Sequence, residues 1–178
     1  MWRRKVLTAI VVLMTIIAGG TGTMFLLSLT SSPPANLGVR QGRLVKCPES
    51  PNCVSTQAED QEHWIAPMTV SQKSKDSIET LEAIVLQMPR TQIVLKADDY
   101  LRAEFRSALF RFVDDVEFYA EAASGRIHFR SASRVGRSDL GVNRARMEKI
   151  RNLFAAAQPE ARPQPKAAGQ PSELQAVP

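Results

Sequence analysis

The chain has 178 residues, of which 44% are hydrophobic and 23% charged, a composition that is ordinary for one globular domain with terminal extensions. Its formal net charge is +5, and removing the three charges of Arg3, Arg4 and Lys5 leaves +2 for the rest of the chain. A nucleic-acid-binding protein concentrates basic residues on one face of its folded part, so we predict no nucleic-acid partner.

An apolar segment without charged residues covers positions 6–29, directly after these three basic residues. As a helix rising about 1.5 Å per residue it would be about 36 Å long, and the hydrocarbon core of a bilayer is roughly 30 Å thick. We therefore predict that residues 1–29 form a single-pass membrane anchor or uncleaved signal. The preceding basic residues place the N-terminus in the cytoplasm and the remainder on the periplasmic or extracytoplasmic side. A cleaved signal peptide is the alternative, because residues 6–18 match its shorter apolar region.

Residues 30–43 are predicted to be a linker, because paired prolines and small polar residues favour extended, solvated chain. A globular domain over residues 44–157 follows. Its cysteines, Cys47 and Cys53, are the only two in the chain, and an even pair in an exported domain favours a disulfide. A redox pair and a metal site are the alternatives. The former more often has two intervening residues, and the two histidines of the chain add no metal-ligand motif, so we predict no metal and no cofactor.

The sequence pattern of the first part of the domain predicts one helix and four strands. Apolar residues recur every three or four positions over residues 71–88, which indicates a helix packed on a core, with Ser71 or Ser74 as its cap. Alternating apolar and polar residues then predict strands at 91–97, 100–107, 111–121 and 126–132. Short connections require antiparallel neighbours. The predicted fold class is thus α+β: an antiparallel sheet of about four strands with helices packed on one face, preceded by the transmembrane helix.

The polar face of this sheet is expected to be wet and unusually charged. Its residues are Arg102, Glu104, Arg106, Asp115, Glu117, His128 and Arg130. Opposite charges on neighbouring strands would form cross-strand pairs. A polar binding floor is the alternative interpretation.

The stretch 127–146 concentrates Arg, Ser, Asp, Asn and Gly and is the main candidate for a functional site. It passes from the last strand through a loop with Gly136 and Gly141 into a basic helix that ends near Ala157. A glycine loop before a helix offers free N–H groups to an anion, and arginines add bidentate contacts to phosphate or carboxylate. The candidate ligand-binding residues are His128, Arg130, Ser133, Arg134, Arg137, Asp139, Asn143 and Arg144.

Two points in this stretch stay open from the residues alone. The helix begins with either Ser138 or Asn143 as its cap. The alternative to an anion site is that Arg134 and Asp139 pair internally and close the loop.

Three motifs resemble the domain-of-unknown-function family 1499. They are CPESPNCVS at residues 47–55, HWIAP at 63–67 and SASRVGRSDLGVNR at 131–144. The resemblance covers about residues 44–156 and implies a small exported or membrane-associated α+β domain. It implies no activity and no catalytic residues.

Residues 158–178 contain five prolines and few bulky apolar residues, so they are predicted to be a disordered tail. The preferred functional hypothesis is a binding or accessory module of the cell envelope, anchored in the membrane. It would recognise an anionic small molecule, a lipid headgroup or an envelope protein. The alternative is an envelope hydrolase that uses His128 with Asp115 or Asp139.

Overall fold

The computed structural model describes residues 2–70 and 73–158, and the predicted tail lies outside them apart from Gln158. Within these residues the fold has three helices and six strands, which confirms the α+β class. In chain order the elements are α1 (Trp2–Leu29), β1 (Cys53–Ser55), β2 (Met68–Thr69), α2 (Ser74–Leu86), β3 (Thr91–Lys96), β4 (Tyr100–Arg106), β5 (Val113–Glu121), β6 (Arg126–Ser133) and α3 (Val142–Ala157).

The strands form one antiparallel sheet, as predicted, in the order β1-β6-β5-β4-β3, with β2 also paired to β6. The four expected strands are present, and β1 and β2 add to them. Strands β1 and β2 are three and two residues long, and an alternating pattern cannot be recognised over so few residues. The strand expected from residue 111 begins at Val113 instead, because Arg111 has a positive φ of 59° that breaks the extended backbone.

Helices α2 and α3 lie on one face of the sheet and contact each other, and the hydrophobic core lies between them and the sheet. The apolar stripe of α2 includes Ile78, Leu81 and Val85, all buried. Strands β4 to β6 present their alternate apolar side chains, such as Phe118 and Phe129, to the same core. Their burial supplies the main favourable term in folding.

Both predicted helix starts need correction. The N-cap of α2 is Lys73, whose backbone is extended and whose side chain makes no capping bond; Ser74 is the first helical residue, and Ser71 lies outside the described residues. The N-cap of α3 is Gly141, at a left-handed φ of 81° that glycine adopts without strain, so neither Ser138 nor Asn143 is the cap.

The helix α1 has 28 residues and is, in the part of the chain that the structure covers, the one helix long and apolar enough to cross a membrane by length and composition. Its large apolar side chains are exposed along its length. The predicted disulfide between Cys47 and Cys53 is present and closes a small loop beside β1.

Candidate functional site

The face of the sheet opposite the helices carries a layer of buried charged residues. The strand register aligns Arg102, Glu117 and Arg130 in one row across β4, β5 and β6, and it places Glu104 beside Asp115 in the next row. Glu117, Asp115 and Arg130 are only 0%, 1% and 4% exposed. The prediction that this face is wet is therefore wrong for its central residues.

The cover over this face is the segment that leads from α1 to the domain, residues 31–44, which we call the strap. Its Ser31 carbonyl accepts a 3.5 Å hydrogen bond from Nη1 of Arg134, and its Gly38 N–H donates a 2.7 Å bond to Oε1 of Glu117. Positions 32–36 are exposed, and 37–39 are half-buried. Alternation in a strand cannot reveal a cover supplied by a distant segment, which is why the face looked wet from the sequence.

Arg134 is bonded to two carboxylates of the layer. Its Nε and Nη2 atoms donate to the two carboxylate oxygens of Asp115, both at 2.7 Å, and Nη2 also donates to Glu104. Hydrogen bonding to Asp115 raises the pKa of Arg134. Glu104 accepts a further 2.8 Å bond from Arg106. This bidentate arrangement ties the residue after β6 to strands β4 and β5.

The row of Arg102, Glu117 and Arg130 is less completely bonded. Oε1 of Glu117 accepts from Gly38 and, at 2.7 Å, from the Tyr100 hydroxyl, while Oε2 lies 3.6 Å from Nη1 of Arg130. Among the described residues, Nε and Nη1 of Arg130, Nε of Arg102 and Oε2 of Glu117 have no hydrogen-bond partner. Burial lowers the pKa of Arg130 and raises the pKa of Tyr100. Buried N–H groups of this kind are suited to an oxyanion or to water.

His128 lies further along β6 on the same face and is one of the residues that line an open polar cleft of about 590 Å³. Its Nδ1 is 3.1 Å from the Thr56 hydroxyl, and its Nε2 is 3.5 Å from Oε2 of Glu121. A hydrogen bond from Ser124 lowers the pKa of Glu121. The Thr56 hydroxyl also accepts the N–H of Phe129 at 3.1 Å, so it is engaged in joining this segment to β6.

A second polar cluster lies on the helix face of the sheet, around Asn143 at the start of α3. Oδ1 of Asn143 accepts from the Ser131 hydroxyl at 2.5 Å and from Nη1 of Arg146 at 2.8 Å. Its Nδ2 donates to the Asn52 carbonyl at 2.9 Å and to the Ser133 hydroxyl at 3.0 Å. These bonds satisfy all four hydrogen-bonding positions of the amide side chain, which fixes α3 to β6 and to the disulfide loop.

A family model with the description "Protein of unknown function (DUF1499)" matches residues 43–154. The match spans the folded domain and includes the three motifs singled out in the sequence. The chain belongs to the DUF1499 family. No curated protein and no solved structure matches it.

In this DUF1499 domain the three motifs contact one another. Nδ2 of Asn52, from the cysteine motif, donates to the Gly136 carbonyl at 2.6 Å. Arg144, from the last motif, donates to the Trp64 carbonyl at 3.0 Å and to the Glu62 carbonyl at 2.7 Å. The three motifs are spread over about a hundred positions of the sequence, and in the fold their polar residues form one unit that joins the loops in which they lie.

His63 of the second motif connects this unit to the disulfide loop. Its Nδ1 is 2.7 Å from the Asp60 carboxylate and its Nε2 is 3.1 Å from the Ser50 carbonyl. The backbone N–H of His63 also donates to Asp60 at 2.9 Å, and this bond lowers the pKa of Asp60. Both ring nitrogens of His63 thus lie within hydrogen-bonding distance of an oxygen atom.

The predicted ligand-binding residues of the DUF1499 domain are mostly engaged inside the protein. Ser133, Arg134, Asn143 and Arg144 make the internal bonds described above. Asp139 accepts the N–H groups of Gly141 at 3.1 Å and Asn143 at 2.7 Å, at the start of α3. The alternative pairing of Arg134 with Asp139 is wrong, because Arg134 binds Asp115 and Glu104 instead.

The other three predicted residues differ in their surroundings. Arg130 is buried with some of its N–H groups unbonded, Arg137 is exposed, and His128 lines the cleft. The hydrolase hypothesis needed His128 beside Asp115 or Asp139. No hydrogen bond or ion pair joins them within residues 2–70 and 73–158; the described contacts of His128 are with Thr56 and Glu121. Neither Asp115 nor Asp139 is therefore a described partner of His128.

Sequence reasoning missed Tyr100, Gly38 and Asn52, which complete the two polar clusters. The alternating pattern of β4 gave a usable signal for Tyr100, since it places this residue on the same face as Arg102. Gly38 and Asn52 act through loops folded over the sheet, and no local pattern marks such contacts.

Proposed function

We propose that this DUF1499 chain is an extracytoplasmic binding module, tethered by α1, that takes a small oxyanion at the row of Arg102, Glu117 and Arg130. The observation that carries the proposal is the state of Arg130. Its side chain is 5% exposed and its Nε and Nη1 atoms have no hydrogen-bond partner among the described residues. A buried donor without an acceptor is costly, and a carboxylate or phosphate oxygen would remove that cost.

The charges of the layer support an anion rather than a cation. Arg102, Arg106, Arg130 and Arg134 face the carboxylates of Glu104, Asp115 and Glu117, which leaves one positive charge in excess. Asp115 and Glu104 are paired with Arg134 and Arg106, so the excess positive charge falls on the row that contains Arg102, Arg130 and Glu117. The strap covers this row, and ligand uptake therefore requires the strap to open.

The location proposed for the module rests on two features. Arg3, Arg4 and Lys5 precede the apolar helix, and such residues stay on the cytoplasmic side. The disulfide between Cys47 and Cys53 forms and persists in oxidising compartments. A reporter fused to the C-terminus tests the location: alkaline phosphatase should be active and green fluorescent protein dark, and the opposite pattern would contradict it.

Thermal unfolding of the full chain in detergent tests the oxyanion site, with inorganic phosphate and acetate as probes and chloride at matched ionic strength as the reference. A ligand at ten times its Kd stabilises the folded state by about 1.4 kcal/mol. We expect phosphate or acetate to stabilise the wild type but not Arg130→Met, which keeps an unbranched apolar side chain and removes the N–H donors.

The matched control is Arg144→Ala, which removes an arginine bonded to the backbone of the 62–64 turn and leaves the row intact. This variant should be less stable than the wild type but should gain as much from the probe. Equal stabilisation of Arg130→Met, or no stabilisation of the wild type by either anion, would contradict the proposal.

A further inference from the structure

Two leucines project into solvent from neighbouring loops at one end of the sheet. Leu109, in the connection between β4 and β5, is 76% exposed, and Leu140, after β6, is 94% exposed. A 3.0 Å hydrogen bond from the N–H of Arg134 to the Val113 carbonyl joins the two loops. Single exposed leucines are common on proteins, so the surroundings of this pair decide whether it has a use.

Those surroundings are basic. Three connections meet at this end, at residues 87–90, 107–112 and 134–141, because the N–H of Arg106 also donates to the Arg90 carbonyl at 3.0 Å. They carry the exposed arginines Arg90, Arg111 and Arg137.

The single carboxylate in these three connections is Asp139, which already accepts the N–H groups of Gly141 and Asn143. The β3–β4 turn at the opposite end of the sheet carries exposed Asp98 and Asp99. The sheet therefore has a basic apolar end, which we call the basic end, and an acidic turn far from it. A negatively charged surface would orient the domain with the basic end towards itself.

The backbone at the basic end is strained. Among the described residues, four that are not glycine have a positive φ, and three of these are Arg90 at 57°, Arg111 at 59° and Leu140 at 55°. Glycine would adopt these conformations at lower cost. The presence of arginine and leucine at these positions therefore suggests that their side chains have a function.

The membrane helix reaches the domain at this same end. Ser31 is two residues beyond the last residue of α1, Leu29, and its carbonyl contacts Arg134, the first residue after β6. Two residues of extended chain span about 7 Å at most, so the basic end lies close to the point where α1 leaves the bilayer.

We propose that the basic end rests on the surface of the bilayer that α1 crosses, with Leu109 and Leu140 in the headgroup region and the three arginines on anionic lipid headgroups. The inference rests on the tethering part of the proposed function and does not depend on the oxyanion site. Leucines rimmed by basic residues match the chemistry of an anionic membrane surface. The acidic β3–β4 turn then faces away from the membrane.

A depth measurement on the full chain reconstituted in vesicles tests this placement. The two native cysteines form a disulfide, so a maleimide dye sensitive to polarity labels only an introduced thiol. Leu140→Cys reports on the basic end, and Asp98→Cys at the opposite turn is the matched control. The vesicles contain phosphatidylcholine alone or with phosphatidylglycerol, and a lipid-borne nitroxide serves as the quencher.

We expect dye at position 140 to emit at shorter wavelength and to be quenched, more strongly with phosphatidylglycerol, while dye at position 98 stays in water. Adding Arg111→Glu and Arg137→Glu should reverse the effect of phosphatidylglycerol. Equal emission and quenching at positions 140 and 98 in protein that floats with the vesicles would overturn the docking proposal. Protein that does not float with the vesicles at all would instead overturn the tether, and the docking inference with it.

Discussion

Replacement of Arg134 by alanine should strongly destabilise the domain. The change removes both 2.7 Å bonds to Asp115 and the bond to Glu104, and it leaves the Asp115 carboxylate, 1% exposed, without its cation. Removing one partner of a buried ion pair costs about 3–5 kcal/mol. The strap can relax and admit water near Ser31, so we expect a loss near the lower end, about 3 kcal/mol.

Equilibrium unfolding of the full chain in detergent by urea measures this loss through the fluorescence of Trp64. In a thermal scan of a domain of this size, about 3 kcal/mol corresponds to a drop in Tm of roughly 12 °C. The control is Arg137→Ala in the same loop, which removes an exposed arginine and should change stability by less than about 0.5 kcal/mol. Equal midpoints for the two variants would refute the structural role of Arg134.

A double variant separates the ion pair from the bulk of the side chain. Asp115→Ala alone should also destabilise, because it leaves Arg134 with Glu104 as its remaining carboxylate partner. Combining Arg134→Ala with Asp115→Ala should cost less than the sum of the single losses, since the uncompensated carboxylate of Asp115 is gone. Additive losses would show that the two residues act independently, in conflict with their bidentate contact.

Three further outcomes are expected. Bonding to the His63 N–H lowers the pKa of Asp60 below its usual 3.8. The contribution of the Asp60 carboxylate to stability is therefore complete above pH 3.8 and is lost as the pH falls through the lowered pKa. The difference in urea midpoint between wild type and Asp60→Asn should shrink below pH 3.8, and a constant difference would contradict this. Replacing Cys47 and Cys53 by serine opens a seven-residue loop and should cost about 2 kcal/mol in the same assay, with no loss if the disulfide does not form. Phe118→Ala should cost about 3–5 kcal/mol, because its ring is fully buried between the sheet and the helices; a smaller loss would indicate a loosely packed core.

The elements with strong periodicity could be predicted from the sequence. The helix stripe of Ile78, Leu81 and Val85 and the alternation in β4 to β6 each identify a face, and the structure buries those faces as expected. The disulfide followed from the cysteine count and the apolar N-terminal segment. The helix and strand predictions depend on local pattern alone, which is why they could be made without a structure.

The state of the charged face could not be predicted, because it depends on where a distant segment lies. Arg102, Glu117 and Arg130 share a face by alternation, but whether water or protein covers them is decided by the strap, above all by Gly38. The arginine loop is similar. Its composition suggests an anion site, whereas Arg134 meets its carboxylate 19 residues away in the chain, on β5.

The strap also determines how the domain responds to force. Its contacts through Ser31, Gly38 and Leu44, whose N–H donates to Gln57 at 2.8 Å, follow one another along the chain. A pull that separates α1 from the domain loads these contacts one after another, so they break one at a time, beginning with the contact nearest α1. Peeling of this kind requires little force at each step, and it uncovers Glu117 and Arg130 before the sheet itself carries any load.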